Sequence, residues 1–213
     1  KRQGLYADRI ARDFGFSERY RILPFKGLYL EAATGETPLR THVYPVPELR
    51  YPFLGVHFTI AVSGTTKIGP TAIPVLWREQ YGALSNFRLR ELLEVGRLQA
   101  SLFTRNAMDF RRLARREISK YSKDRLVKLA SGLVSDSVVR GDWRWGKPGI
   151  RAQLMDMESH QLEMDFKLEG DDRSLHVLNA VSPAFTCAFP FARFVADRIA
   201  GSPSDLASTA GDA

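Results

Sequence analysis

The sequence predicts an α/β chain of the α+β kind, in which a strand-rich antiparallel or mixed sheet carries a three-helix insert and the chain closes on a strand followed by a helix. Three observations lead there. Residues 20–69 fall into short β-type runs broken by turn chemistry, residues 85–134 carry apolar side chains at helical spacing, and strand patterns return from residue 149. With 213 residues the chain is long enough to bury a sizeable core, and its 44% hydrophobic, 11% aromatic and 26% charged residues exclude a disordered or fibrous chain.

The elements follow in order. Residues 5–14 read as a short amphipathic helix with Leu5, Ala7, Ile10, Ala11 and Phe14 on one side and Gly15 at the C-terminal cap. Its start is poorly built: Lys1 and Arg2 put positive charge at the positive end of the helix dipole, and no Ser, Thr, Asp or Asn caps the first turn. The expectation is a chain cut from something longer. Strands are predicted over 21–32, 42–47, 53–60 and 65–69, separated by turn residues at 34–38 and 63–65, with Pro24, Pro45, Pro47 and Pro52 pushing them towards edges or bulges. In the helical block, Ser85 or Asn86 is expected to open the first helix and Ser122 the third. Leu89, Leu92, Leu93 and Leu98 form the buried stripe of the first, while Phe110, Leu113, Ile118, Leu126, Leu129 and Leu133 serve the others. Further strands are predicted at 149–157, 161–168 and 175–180, the first two joined as a hairpin across Glu158, Ser159 and His160. A last helix over 183–199 and a disordered tail over 201–213 complete the chain.

Several chemistries are poorly supported. No stretch approaches eighteen consecutive apolar residues, and the opening KRQGLYAD has no apolar signal-peptide core. One cysteine fits a reducing compartment. Neither G-x-G-x-x-G nor G-x-x-x-x-G-K-[ST] occurs, so no pyrophosphate cradle is encoded here. The histidines at 42, 57, 160 and 176 are dispersed, no metal site is expected, and Cys187 among Phe185, Ala188 and Phe189 reads as a small buried hydrophobe. The net charge is +7, which suits an anionic partner, and residues 105–128 hold +6 of it through nine Lys/Arg against three acids. A solvated helical face is the first reading of that segment, an anionic membrane surface the second and nucleic acid the last, since Phe110 and Tyr121 alone supply little base stacking.

Four blocks in order, HVYPVPELRYPFLGVHFT (42–59), IGPTAIP (68–74), GIRAQL (149–154) and HVLNAVSPAFT (176–186), resemble the L-2-hydroxyglutarate dehydrogenase/oxidase family of D-amino-acid-oxidase-like, FAD-dependent oxidoreductases. GLYAD (4–8) and LPFKG (23–27) are similar to its flavin-side segments. The resemblance covers the chain to about residue 200 and only the C-terminal half of the family. It implies an organisation of 1–20 as a residual segment of a Rossmann-type FAD domain whose N-terminal half is missing, 21–148 as a substrate-binding domain with its helical insert at 85–134, and 149–200 as the end of the substrate sheet with its return to the FAD domain.

The same resemblance implies an oxidoreductase that takes a 2-hydroxy acid, with L-2-hydroxyglutarate favoured, to the 2-oxo acid by hydride transfer to FAD, with a quinone or oxygen as the acceptor beyond. Arg151, following Gly149 and flanked by apolar Ile150 and Ala152, is expensive to bury without an anionic partner, and its planar fork suits a carboxylate. The family places a substrate-binding arginine at the similar Gly-x-Arg position, while an ion pair with Asp165 is the structural alternative. His57 faces away from Val56 and Phe58 in a strand and is the candidate base for the substrate hydroxyl, with a purely structural histidine as the alternative. Tyr44, Lys26 and Thr71 are expected to make polar contacts to the second carboxylate. Gly4, Gly27, Asn179, Ser182, Pro183, Ala184, Phe185 and Thr186 are the implied cofactor-binding positions, with Ser182 and Pro183 opening the last helix towards the flavin's electron-rich edge. As a separate chain it is expected to bind FAD weakly and to be inactive. The competing readings are a non-catalytic basic module on an anionic membrane or nucleic acid, and an inactive remnant. The expected location is cytoplasmic, with peripheral contact to the inner membrane through 105–128 as the alternative.

Overall fold

A computed structural model describes residues 3–33, 39–46, 53–180 and 186–201. After a 3₁₀ turn at Gln3–Tyr6 the elements run α1 (Ala7–Asp13), β1 (Tyr20–Gly27), β2 (Leu30–Ala32), β3 (His57–Ile60), β4 (Thr66–Gly69) and β5 (Ile73–Pro74). The helical block follows as α2 (Leu89–Arg105), α3 (Phe110–Ile118), α4 (Lys123–Ser131) and the short α5 (Asp136–Val139), and then β6 (Trp143–Trp145), β7 (Gly149–Asp156), β8 (Lys167–Gly170), β9 (Leu175–Asn179) and α6 (Ala188–Ala200). The chain is mixed α/β and falls into two compact units, residues 23–151 and residues 1–22 with 152–213. β1 and β7 each run through the division.

In the 23–151 unit the strand order β3-β4-β2-β6 forms an antiparallel sheet. Its register stacks Phe58 against Ile68 and Ile68 against Leu30, so one face presents a continuous apolar row. That row forms a core with Val56, Leu126, Ala130, Val139 and Trp143, which seats α4 and α5 on the sheet. Period-two alternation then turns His57 to the other face. Ser122 caps α4 by accepting the Arg125 amide at 3.4 Å, as its sequence position suggests.

The other unit packs Ala11, Tyr20, Ile22, Leu154 and Leu178 together, bringing α1 against β9. Asp8 is fully buried on that helix and is satisfied by the Ile22 amide at 3.1 Å and by Arg12. Gly15 (φ +86°) ends the turn after α1, its amide donating to the Arg12 carbonyl. Arg19 donates through Nε (2.8 Å) and Nη2 to the buried carboxylate of Asp156, which also accepts the Glu158 amide at 2.8 Å. These bonds, those from Arg19 foremost, hold the Asp156 carboxyl well below the usual carboxylate range. A group depressed in the folded state stabilises it above the unfolded pKa of about 3.9 and loses that contribution as pH falls towards its own lower value. Asp156→Asn is therefore expected to cost about 2 kcal/mol near neutrality and to flatten the acid side of the stability profile, measured as urea midpoints from pH 7 to 2.

The structure corrects several sequence expectations. The run 21–32 is two strands, and over 42–47 the described residues form only an isolated bridge, Val43 to Phe58. The predicted pairing across Glu158 to His160 is present but short, an antiparallel bridge of Met155 with Leu162 flanked by the Asp156 amide donating to the Gln161 carbonyl and the Glu163 amide to the Leu154 carbonyl, each at 2.9 Å, while the longer hairpin is β8–β9. Asp171 closes that longer hairpin: its carboxylate accepts the Arg173 (2.9 Å) and Ser174 (2.8 Å) amides, building a tight Asx turn between β8 and β9. On α2 the predicted stripe holds at Leu98 but not at its start. Leu89 and Leu93 are 61% and 53% exposed, while Glu91, Val95, Leu98 and Leu102 face inward, Glu91 accepting the amide of the buried Arg78. The N-cap of α2 is Arg88, without a side-chain cap, instead of Ser85 or Asn86. Ile10, Phe14 and Ile118 are likewise exposed. The last helix begins at Ala188, and its Cys187 cap is exposed rather than buried, since α6 buries no residue among those described. Of the basic segment, Lys120 forms a buried pair with Glu117, and Arg111 donates to the Phe103 (2.7 Å) and Thr104 (3.1 Å) carbonyls at the end of α2. None of the described helices is long and apolar enough to cross a membrane.

Candidate functional site

A cleft of about 180 Å³ lies wholly inside the 23–151 unit, in scale with a small acid rather than a drug-sized ligand. Four stretches of chain build it. Phe25 and Gly27 of β1, continued by Tyr29, form one wall; His57, at the head of β3, and Thr71 lie on others; and Gly149, Ile150 and Arg151 at the start of β7 complete it.

His57 is nearly buried, and its Nδ1 lies 2.9 Å from the Gly55 carbonyl. A carbonyl only accepts, so Nδ1 carries the proton and Nε2 is left with a lone pair. Burial lowers the His57 pKa below 6.5, the Gly55 bond opposes this, and the positive fields of His42 and Arg151 lower it further. The imidazole is thus neutral at pH 7 and suited to accept a proton. The Tyr44 ring covers it, with centroids 4.4 Å apart, and is itself half exposed.

Arg151 reaches solvent through the cleft mouth while its guanidinium lies 5.5 Å from the Phe53 ring centroid, and Phe53 in turn packs on Phe25 at 4.8 Å. Crowding by protein atoms lowers its pKa from a very high starting value, and the nearby Tyr29 opposes that shift. The arginine stays charged. Asp165, the alternative partner considered for it, accepts the Phe166 amide at 2.7 Å.

The remaining candidates divide. Thr71 lines the cleft, but its hydroxyl is engaged on both sides: it donates to the Lys26 carbonyl and accepts the Leu28 amide, each at 3.0 Å. It braces the wall. The adjoining Ala72 amide donates to Glu117 at 2.7 Å, and Glu117 is paired with Lys120, so α3 of the basic segment buttresses the cleft from behind. Lys26 is buried but does not line the cleft, because it lies between Phe25 and Gly27 on a strand whose alternate residues do; desolvation lowers its pKa. Tyr44 enters through His57 rather than as a lining residue. Sequence reasoning missed Tyr29. The two-residue period through Phe25 and Gly27 leads to it, and the same period sets Lys26 aside.

Of the implied cofactor positions, Gly27 faces the cleft, and a Cβ there would meet the Pro70 Cβ at 3.1 Å, so the backbone must stay bare at that point. Gly4 has open space around it, and Asn179 is buried with its amide donating to the Asp165 carbonyl at 2.6 Å. Thr186 is exposed, while Ser182, Pro183, Ala184 and Phe185 lie outside the described residues. Among the described residues no group of three or more His, Cys, Asp or Glu side chains could hold a metal.

No protein-family model matches the chain. It is similar to an L-2-hydroxyglutarate dehydrogenase, mitochondrial, of Nematostella vectensis, 35% identical over 205 residues that make up 92% of this chain and 44% of the relative. The mitochondrial protein of the same name from Homo sapiens is 32% identical over 202 residues, 92% of this chain and 43% of its own. The L-2-hydroxyglutarate dehydrogenase of Indibacter alkaliphilus is 34% identical over 186 residues, 86% of this chain and 45% of its own. The chain therefore spans a little under half the length of the curated relatives it matches.

Proposed function

We propose that this chain, a homologue of the L-2-hydroxyglutarate dehydrogenases, supplies the acid-binding and proton-accepting wall of a 2-hydroxy-acid oxidoreductase, with L-2-hydroxyglutarate as the favoured substrate. The observation that carries this reading is the convergence of Arg151 and a neutral His57 on one small cleft. In this reading the chain corresponds to the C-terminal half of such an enzyme, and residues 1–20 and 149–200 belong wholly or partly with a Rossmann-type FAD domain whose N-terminal half is not part of residues 1–213. Alone, the chain binds the acid but turns it over poorly. Its role is to complete the site.

Arg151 binds the carboxylate next to the reacting carbon through its fork and so fixes which substrate face is presented. His57 Nε2 then takes the hydroxyl proton while the hydrogen on C2 leaves with its electron pair, and the C–O bond becomes a carbonyl. Bound FAD would supply the hydride acceptor. The bare backbone at Gly27 suits close approach of a planar group, although Asn179 spends its amide on the Asp165 carbonyl. After the reaction the imidazolium, favoured neither by burial nor by Arg151, returns its proton to solvent.

Titrating L-2-hydroxyglutarate into the chain, followed by ¹³C and ¹⁵N NMR of the His57 ring and the Arg151 side chain, tests this. In the free chain His57 should titrate below 6.5, remaining neutral at pH 7. Millimolar acid should shift both groups and raise the His57 midpoint, because a bound carboxylate offsets the field of Arg151. If neither group responds to the acid, the proposal is wrong.

A further inference from the structure

We infer that Tyr29 is a substrate-binding residue, whose phenol donates a second hydrogen bond to the carboxylate held by Arg151. The inference rests on the reading of the cleft as an acid-binding site and adds to it a donor that neither the spacing of the motifs nor the choice of charged residues identified.

Three observations carry it. Tyr29 lines the cleft together with Arg151, and the two are close enough for each to alter the other's ionisation. Its ring is fixed from several sides. The Tyr29 carbonyl accepts the Gly146 amide at 2.9 Å, and a Cβ on Gly69 would come within 3.0 Å of the ring Cδ1 and 2.7 Å of the Leu28 carbonyl. A Cβ on Gly27 would lie 3.7 Å from the ring Cε2, so two glycines leave the space in which the ring sits. Finally, among the described residues the phenol oxygen has no hydrogen-bond partner, whereas the Thr71 hydroxyl and the His57 Nδ1 in the same cleft are both engaged. A half-buried hydroxyl is normally satisfied, and one left open in a cleft beside a guanidinium is placed to donate to an anion.

The electrostatics agree on which way the bond runs. Burial raises the Tyr29 pKa, against the opposing fields of Arg151 and Lys67, so the phenol keeps its proton at neutral pH and acts as a donor. Lys67 is itself held by Glu31 at 2.8 Å. Arginine fork and phenol together form a three-donor clamp around one carboxylate, a geometry that a neutral amide of the same size would not satisfy.

The test uses the 213-residue chain, L-2-hydroxyglutarate and its neutral diamide as probes, and Tyr29→Phe, which keeps the ring against Gly27 and Gly69. For the acid, affinity should fall roughly tenfold in Tyr29→Phe with the thermal midpoint unchanged, since a hydrogen bond to a charged acceptor is lost. Weak binding of the diamide should be indifferent to the substitution. In the unsubstituted chain the ¹³Cζ titration of Tyr29 should move upward when the acid binds, a response that a purely structural tyrosine lacks. Should the acid shift His57 and Arg151 while leaving the Tyr29 titration and the Tyr29→Phe affinity unchanged, the clamp is wrong and the cleft reading survives. Should none of the three groups respond, both fall together.

Discussion

Arg151→Met is expected to weaken binding of L-2-hydroxyglutarate to the chain by roughly 30- to 1,000-fold, the equivalent of about 2–4 kcal/mol, while leaving the unfolding midpoint within about 0.5 kcal/mol of the parent. The size follows from the setting. The guanidinium lines the cleft with protein atoms crowding one side while the residue as a whole stays exposed, so the effect rests on the two parallel charge-assisted hydrogen bonds that its fork makes to a carboxylate. Methionine removes the fork but keeps the stem beside Phe53. Arg151→Lys separates charge from geometry: it retains the positive charge, loses the planar two-point contact and should fall between the two, about tenfold weaker than arginine. Isothermal titration of the acid into each chain measures the series. Equal affinity for all three would remove Arg151 from the carboxylate role. Because His57 feels the positive field of Arg151, its pKa should also rise in Arg151→Met, giving a second readout independent of the ligand.

How much of this was legible in the sequence depends on whether a residue's partner was near it in the chain. Turn and cap chemistry was readable because it is local: Ser122 accepts an amide three residues on, and Gly15 closes the turn after α1. The direction of His57 was readable too, since Val56 and Phe58 on either side are apolar and join the core. The α2 stripe was readable only in part: Leu98 faces inward as its spacing suggests, but Glu91 joins Val95, Leu98 and Leu102 on that face, accepting the amide of Arg78, a partner thirteen positions away. The role of Glu117 and Lys120 was not: it reads as surface charge until the fold brings Ala72 against it. Charge counts assign a sign to a segment, but only contacts divide it between solvent and structure.

The second large effect is on stability, and its signature is the reverse of Arg151's. Arg78 is fully buried between β5 and α2, its Nη2 donating to Glu94 at 3.0 Å and its backbone amide to Glu91 at 3.1 Å. Gln99, further along the same helix, donates to the Val75 carbonyl at 2.5 Å. The stretch 75–78 is thus tied to α2 largely by polar groups, and it leads directly back to Thr71 and Ala72 at the cleft wall. Arg78→Met takes the positive charge from a buried site facing two carboxylates and should cost about 3–5 kcal/mol, a thermal midpoint lower by roughly 10–20 °C for a unit of this size. Acid affinity, measured where the variant is still folded, should change less than threefold, because Thr71 remains braced by Lys26 and Leu28, and Ala72 by Glu117. If the loss comes from stranded carboxylates, Arg78→Met combined with Glu91→Leu and Glu94→Leu should recover much of it, since apolar packing replaces a buried ion cluster at little net cost. No recovery would mean that Arg78 acts through its backbone amide and the shape of the turn instead. Glu94→Gln, which keeps an acceptor for Nη2 and removes only the charge, should cost about 1–2 kcal/mol and supplies a folded variant in which the same coupling can be measured by urea titration.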